Sequence, residues 1–516
     1  DWTSTGLDTD DQVVDTPTKN YATLTSLIPV PSGTISNGNL DYTRGSTAAH
    51  GSVGSSFTLP TTGKWYWEVT AAAAGGNNEA IGVANILNNP QLPAASAEIG
   101  SRAGDFIYRS NAVKVSGGTS ASYGVTFTSG DIIGVAWNSD DGEITFFKNN
   151  STQGVAYSSI SQEVGKYVPA DSQAQTGVTV FNFGQSGFEY TPPTGFKALN
   201  TANLPTPTIA DGSTAFQTTL YTATGSALEV NQIGNSTFQP DFVWVKNRTQ
   251  ASGQMINDAV TGAQKFIRAD STAGQTTQTQ GLVSFDADGF SVGTNGDFNY
   301  GTDSFVGWQW LAGNGTATNE VGTITSTVSV NTTAGFSIVR AASMAGSGGT
   351  IGHGLGTVPD MVIGRMQSET FNWQVWHQGL TNGTYSMHLN DTSAQAAVAT
   401  VYTALPTSTL INTGASWTNG NPAFFYVFTG VEGYSKFGKY NGNGSTDGSF
   451  IYTGFKPAFV IFKRIDSADN WAMYDATRDS FNVAGKYLLS DTNAAETTYS
   501  TAKVDFLSNG FKWRGA

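Results

Sequence analysis

"QPDFVWVKNRTQASGQMINDAVTG" (Gln239–Gly262), "VPDMVIGRMQSETFNWQVWHQGLT" (Val358–Thr381) and "KPAFVIFKRIDSADNWAMYDATRD" (Lys456–Asp479) follow one pattern. Each has a proline second, Pro240, Pro359 or Pro457, followed two residues later by an apolar pair: Phe-Val, Met-Val or Phe-Val. Eighteen residues past each proline stand Asp258, His377 and Asp475 (258−240 = 377−359 = 475−457 = 18). Proline suits a position just ahead of a strand, where no ladder N–H is needed. The apolar runs that follow predict strands.

The correspondence continues downstream. "ADST" (Ala269–Thr272), "NDTS" (Asn390–Ser393) and "SDTN" (Ser490–Asn493) fall in order. "DGFSVG" (Asp288–Gly293) matches "SNGFKW" (Ser508–Trp513), with the looser "TLINTG" (Thr409–Gly414) between. "SFVGWQWLAG" (Ser304–Gly313) closes the first copy and "AFFYVFTGVEG" (Ala423–Gly433) the second. The third copy stops after its "GFKW" without a closing strand, so either the chain continues beyond Ala516, the preferred reading, or a strand from elsewhere completes the copy. A repeat of about 100 residues is a domain-sized unit rather than a solenoid rung. Each unit is expected to have its own core, and "AQAAVATVYTAL" (Ala394–Leu405) reads as a short helix.

Composition agrees with an all-β chain. Of 516 residues, 39% are hydrophobic and 12% aromatic, enough to exclude disorder. Only 12% are charged and 61 are Gly, which suits strands joined by many turns. The net charge of −14 makes nucleic acid and anionic membrane poor partners, since both need clustered Lys and Arg. With no cysteine there is no disulfide, thiolate metal site or Cys nucleophile. No apolar stretch is long enough for a membrane-spanning helix.

The sequence predicts an arm or linker (1–20), a sandwich (21–200), a Pro/Thr-rich linker (201–215), and β-rich repeats at 216–320, 321–432 and 433–516. Within the sandwich, "GKWYWEVT", "IGVAN" (Ile81–Asn85), "GDIIGVAWNSDDGEITFFKNN" (Gly130–Asn150), "YVPA" (Tyr167–Ala170) and "FNFGQSGFEY" (Phe181–Tyr190) occur in sequence. These resemble the SPRY/B30.2 pattern: Gly63, Tyr66, Glu68 and Val69; then Gly130, Asp131, Ile133, Gly134 and Val135; then Asn182, Phe183 and Gly184. The chain departs from it at Asn149-Asn150, where Asn-Gly is usual; Asn also tolerates positive φ. The resemblance implies a concanavalin-like β-sandwich that binds proteins or glycans through loops. Trp65, Trp67, Phe146 and Phe181 are expected in its core. Asn77, Asn78, Asn88 and Tyr108 are its ligand-binding candidates.

The tandem resembles tail-fibre and other virion structural proteins of bacteriophages, those of marine and cyanobacterial phages above all. "NWQVWHQGL" and "NWAMYDATR" carry that resemblance. It implies a homotrimeric virion-surface protein whose partners are a host-surface glycan or protein and other virion proteins, without membrane insertion or nucleic acid. Trp373, Trp376 and Tyr385 are candidate sugar-stacking residues.

No catalytic pattern emerges. Glycan hydrolysis needs two carboxylates at defined separation, and the E-x-D-x-x-E arrangement of lectin-fold glycanases is absent. Neither a metal nor a cofactor is expected: "FDADG" (Phe285–Gly289) lacks the terminal Glu of a calcium loop. His353 in "IGHGLG" is expected to orient a turn, and His388 to face outward. His377 replaces the Asp of the other copies. Asp and His at one position suit a hydrogen-bonding role toward nearby backbone, not a catalytic one. A capsid-decoration or tail-adaptor role is the alternative to host binding, and a polysaccharide depolymerase is disfavoured.

Overall fold

The computed structural model describes residues 16, 19–28, 33–45, 50–72, 79–87, 92, 97–163, 165–174, 177–418 and 420–515. The chain divides into two compact units. The first comprises Asp1–Thr206 and Tyr440–Gly454, the second Pro207–Lys439 and Phe455–Ala516. The third expected repeat is thus split, because Tyr440–Gly454 belongs to the first unit.

The first unit is built on β1 (Lys64–Thr70), β2 (Glu79–Asn85), β3 (Phe106–Arg109), β4 (Ile132–Asn138), β5 (Glu143–Lys148), β6 (Tyr167–Gln173) and β7 (Val178–Asn182). One sheet runs 24–25, 51–55, β6, β2, β3, 113–116, 119–122; the other runs 151–157, β5, β4, β1, β7, 41–43, 34–36. Trp65, Trp67, Trp137, Phe146 and Phe181 fill a common core, as residues on the inner faces of a sandwich must. The Asp-Asp-Gly turn joins β4 to β5, with Asn138 opposite Glu143 and Gly142 at φ +64°. Asn149 and Asn150 both take positive φ, 45° and 67°, so asparagine holds the turn that Gly would ease.

The SPRY-pattern residues do structural work here. Buried Glu68 accepts from the backbone N–H of Glu189 and Tyr190, both at 2.9 Å, and from the Tyr66 hydroxyl and Asn182 Nδ2. Asp131 accepts from Thr128 N and Asn149 Nδ2, pinning the end of the β4–β5 hairpin. Gly134 lies so close to Tyr66 that a Cβ there would sit 2.4 Å from its hydroxyl oxygen.

The second unit repeats one strand order. Its first module has β8 (Phe216–Thr222), β9 (Phe242–Asn247), β10 (Gln254–Asp258), β11 (Lys265–Arg268), β12 (Thr276–Thr277) and β13 (Ser304–Trp310), arranged β8-β13-β9-β10-β11-β12. The second has β14 (Phe336–Ala341), β15 (Met361–Met366), β16 (Gln374–His377), β17 (Tyr385–His388), β18 (Ala396–Ala397) and β19 (Ala423–Phe428), arranged β14-β19-β15-β16-β17-β18. The third has β20 (Phe459–Lys463), β21 (Trp471–Asp475), β22 (Lys486–Leu489) and β23 (Thr497–Thr498), in chain order. Pro240, Pro359 and Pro457 are each buried two residues ahead of β9, β15 and β20.

The three modules do not each own a separate core. Phe242, Trp244, Trp308, Ile363, Trp373, Tyr426, Trp471 and Met473, from all three, form one cluster. The period-2 alternation of a strand explains how. In β9, Phe242 and Trp244 enter the shared cluster, while Val243 and Val245 enter a cluster private to the first module. In β19, Phe424 and Tyr426 are shared, while Phe425 and Val427 are private to the second. Strands buried on both faces read as continuous apolar runs, which is why "FVWV" and "AFFYVF" show no polar alternation.

The helix expected over Ala394–Leu405 does not form. The segment contains β18 and a bridge from Tyr402 to Thr413, and Val401 and Tyr402 pack into the second module's core. Burial of adjacent β-branched and aromatic side chains overrides the alanine content. The helical residues among those described are Gly296–Asn299 and a 3-10 turn at Gly212–Thr214.

Candidate functional site

The repeated polar positions converge where the modules meet. Asp258, His377 and Asp475 end β10, β16 and β21. Each accepts from backbone just beyond its strand: Thr261 N to Asp258 Oδ1 at 2.8 Å, Gly379 N to His377 Nδ1 at 2.9 Å, Arg478 N to Asp475 Oδ1 at 2.7 Å. Carboxylate and imidazole both supply the acceptor, so the position tolerates either.

Two of the three also receive a donor from a neighbouring module. Tyr426 of β19 donates its hydroxyl to Asp258 Oδ2 at 2.9 Å. Trp308 of β13 donates its indole N–H to Asp475 Oδ2 at 3.2 Å. Burial raises the Asp258 carboxyl above its usual range, and hydrogen bonds from Thr261 and Tyr426 oppose that rise.

A second set of contacts closes a ring. Gln254, Trp373 and Trp471 stand 14 residues past the three prolines (254−240 = 373−359 = 471−457 = 14). Gln254 Nε2 donates to Leu489 O at 2.6 Å, from first module to third. Trp373 Nε1 donates to Arg268 O at 2.8 Å, from second to first. Trp471 Nε1 donates to His388 O at 2.8 Å, from third to second. The acceptors are the last residues of β22, β11 and β17. Asp270, Asn390 and Asp491, within the matched "ADST", "NDTS" and "SDTN", accept the backbone N–H of Gln254, Trp373 and Trp471.

Three of the seven sugar- and ligand-binding candidates, Tyr108, Trp373 and Trp376, are buried. Trp373 is fully buried, and Trp376 is buried in the second module's private core. Tyr108, expected in a loop, lies on β3, buried against Phe127 and Phe146, with its hydroxyl on Val125 O. Burial pushes its phenol up to about 12. Tyr385 is half-buried at the start of β17, against the shared core. Asn77, Asn78 and Asn88 lie outside the described residues. His353 holds a turn: Leu355 N donates to Nδ1, so Nε2 carries the proton toward Thr407 O. His388 is half-buried and paired with Asp391 at 2.7 Å.

One polar cluster escaped sequence reasoning. Glu79 of β2 and Asp171 of β6 lie side by side in the first unit, 3% and 0% exposed. The Thr179 hydroxyl is 3.1 Å from an oxygen of each, Gln173 Nε2 donates to Asp171, and Ala72 N donates to Glu79. Burial, then repulsion from Glu79, raises Asp171 well above the usual carboxylate range. The pair therefore holds one proton between its two carboxyls to a higher pH than a free acid does. An Asp inside the strand "YVPADSQ" was the signal available, but its partner is 92 residues away (171−79 = 92). Among the described residues, no group of three or more His, Asp or Glu is placed to hold a metal ion.

This pair sets a pH dependence. Folding takes up a proton at the pair between the ordinary Asp171 pKa and its raised folded value. Its stabilising contribution is complete below the ordinary value and is lost as pH rises through the folded one. Asp171→Asn, neutral throughout, is expected to raise the first unit's melting temperature at pH 8 by roughly 2–4 °C per kcal/mol recovered. At pH 4 the variant and parent should melt together. Calorimetry across pH 4–8 checks both.

The first unit's sandwich and motif define a SPRY domain, and residues 64–186 match that family. Residues 211–516, more than half of the chain, match the family described as a domain of unknown function, DUF7483, and the chain belongs to that family. Solved structures similar to the chain include the SPRY domain of human HERC1 (17% identity, TM-score 0.26, covering 33% of this chain and 99% of that one). A human SPRY domain (17%, 0.26, covering 30% and 96%) and stonustoxin (16%, 0.26, covering 31% and 27%) are also similar. No helix among the described residues is long and apolar enough to cross a membrane.

Proposed function

We propose that this chain is a non-enzymatic bacteriophage virion-surface protein. Its SPRY domain binds a host-surface glycan or protein through loops, and its second unit is a rigid scaffold. The observation that carries this reading is the use made of the repeated polar residues. Asp258, His377 and Asp475 all hold backbone, and Asp258 and Asp475 also bind across modules, as scaffold residues do. The SPRY match of residues 64–186 supports a binding role for the first unit. Its binding candidates are Asn77, Asn78 and Asn88, in the stretches "GGNNEA" (Gly75–Ala80) and "NILNNPQ" (Asn85–Gln91).

Labelled chain should adsorb saturably to host bacteria. A variant with Asn77, Asn78 and Asn88 replaced by Ala should lose adsorption while melting unchanged. A chain that ignores cells but binds capsids or tails would replace host attachment with the decoration role. Release of reducing sugar from host polysaccharide would replace both with a depolymerase. The assembly proposed is a homotrimer, which sedimentation should report at three times the 54.2 kDa chain mass.

A further inference from the structure

We propose that the outer face of one sheet of the SPRY sandwich carries an anion site, built from Arg44, His50 and Arg109, that takes a single carboxylate of an acidic sugar. The sugar as carrier rests on the glycan reading of the proposed function, whereas the carboxylate site rests on the geometry of these residues.

Strand alternation places the groups. Ile81 and Tyr108 oppose each other and enter the sandwich core, so the next opposed pair, Ala80 and Arg109, turns outward. Ala80 pairs with Ser172 of β6, and Ser172 pairs with Ser52 of the strand Gly51–Ser55. Three small side chains thus form a row across the outer face, with Arg109 at one end. His50, two residues before Ser52, lies at the other end of that row. Gly51 opposes Gln173, and the carbonyl of the following residue, Ala174, accepts from Arg44 Nη1. Small side chains leave room for longer ones to reach across them, and the charges of Arg44 and Arg109 both act on His50. Burial first, then those two charges, hold its imidazole below the ordinary value. Gly51–Ser55, β6, β2 and β3 are each paired on both sides, so no strand position is open here.

The groups gathered there lack a counterion. Arg44 is only 9% exposed, and its Nε is buried without a partner. Arg109 Nε and His50 Nδ1 are buried without partners as well. Glu98 pairs with Nη2 of Arg109, and its Oε2 is also unpartnered. Turning Oε2 onto Arg109 Nε would still leave Arg44 Nε and His50 Nδ1 unmatched. The Glu79–Asp171 pair supplies no acceptor, because it lies on the inner face: Asp171 opposes inward Ile81, and Glu79 precedes outward Ala80. Buried donors need acceptors, and buried guanidinium groups need anions.

Charge selects the ligand. Arg44 and Arg109 bring two positive charges, Glu98 one negative, and a neutral His50 none, so one negative charge balances the site. A carboxylate carries that charge on two oxygens and can take two donors at once. Dense polyanions are disfavoured by the net charge of −14. His50 and Arg109 are half-buried, so the site is reachable from solvent.

Calorimetric titration of the full chain with sodium glucuronate at constant ionic strength tests the site. One saturable site per chain is expected with glucuronate and none with glucose. Arg109→Lys keeps the charge beside Glu98 but removes the Nε–H, and should weaken glucuronate roughly 10-fold. His50→Phe keeps a flat ring without nitrogens and should weaken it as well, leaving both guanidinium groups in place. Lys197→Gln, at an exposed lysine of the same unit, should change nothing. Absence of saturable binding, or equal binding by the parent and both site variants, overturns the site. Binding of N-acetyl-aspartate amide in place of glucuronate overturns the sugar as carrier. Glucuronate that binds with the expected variant losses yet leaves host adsorption untouched at saturation supports the site and overturns its role in host attachment.

Discussion

Replacing Asp475 with Ala is expected to cost the second unit about 3–5 kcal/mol, as removal of one partner from a buried ion pair does. Asp475 Oδ2 is 2.5 Å from Arg478 Nε, and neither side chain is exposed. The same oxygen takes the Trp308 indole from the first module. Arg478 goes on to Glu496 at 3.1 Å, and Glu496 pairs with Arg248 of the first module at 2.8 Å. The guanidinium also lies over the Trp308 ring, 5.6 Å from its centroid. Alanine leaves the cation buried with one carboxylate fewer and strands the indole N–H. Asp475→Asn should also be costly, since one amide oxygen keeps either the backbone N–H groups of Thr477 and Arg478 or the Arg478 Nε–H and Trp308 indole, and the amide NH2 then opposes the other donors. Guanidinium unfolding followed by tryptophan fluorescence gives both values. A loss under about 1 kcal/mol for alanine would mean that the network does not join the modules.

Trp373→Ala should cost a similar amount, about 3–5 kcal/mol, because a fully buried large side chain leaves a cavity and a lost transfer term together. Its indole holds Arg268 O, its ring lies between Tyr426 and the Arg365 guanidinium, and Phe424 meets it edge-on. Burial pushes Arg365 down to about 10. That group donates to Ser271 O and Ala273 O of the first module, so the tryptophan and arginine join the two modules as one block. Trp373→Phe keeps most of the volume and should lose about 1 kcal/mol for the hydrogen bond. A sugar-stacking tryptophan behaves oppositely: alanine abolishes binding and spares stability. Melting and glycan binding measured on one preparation separate the two roles.

Strand positions were legible because they rest on local chemistry. Alternation, turn residues and the three prolines lie within a few residues of what they control, and β9, β15 and β20 start two residues past their prolines. The hydrogen-bonding character of Asp258, His377 and Asp475 was legible for the same reason, since their backbone partners lie two or three residues on. The roles of Trp373, Trp376 and Tyr108 were not. An aromatic residue on a strand reads alike whether it meets solvent, its own module or a neighbour. The Glu79–Asp171 pair left only a lone acid in a strand, because adjacent strands bring together residues far apart in the chain.

By itself, then, the sequence determined an all-β chain, a SPRY sandwich ahead of further β strands, and acceptors at the ends of three matched strands. Backbone hydrogen bonding and side-chain alternation act over short spans, so they are written in short spans. Only the tertiary structure decided that the three modules share one core and that their polar positions close a ring. Those outcomes depend on which face of each strand meets another module, and one-dimensional spacing does not contain that choice.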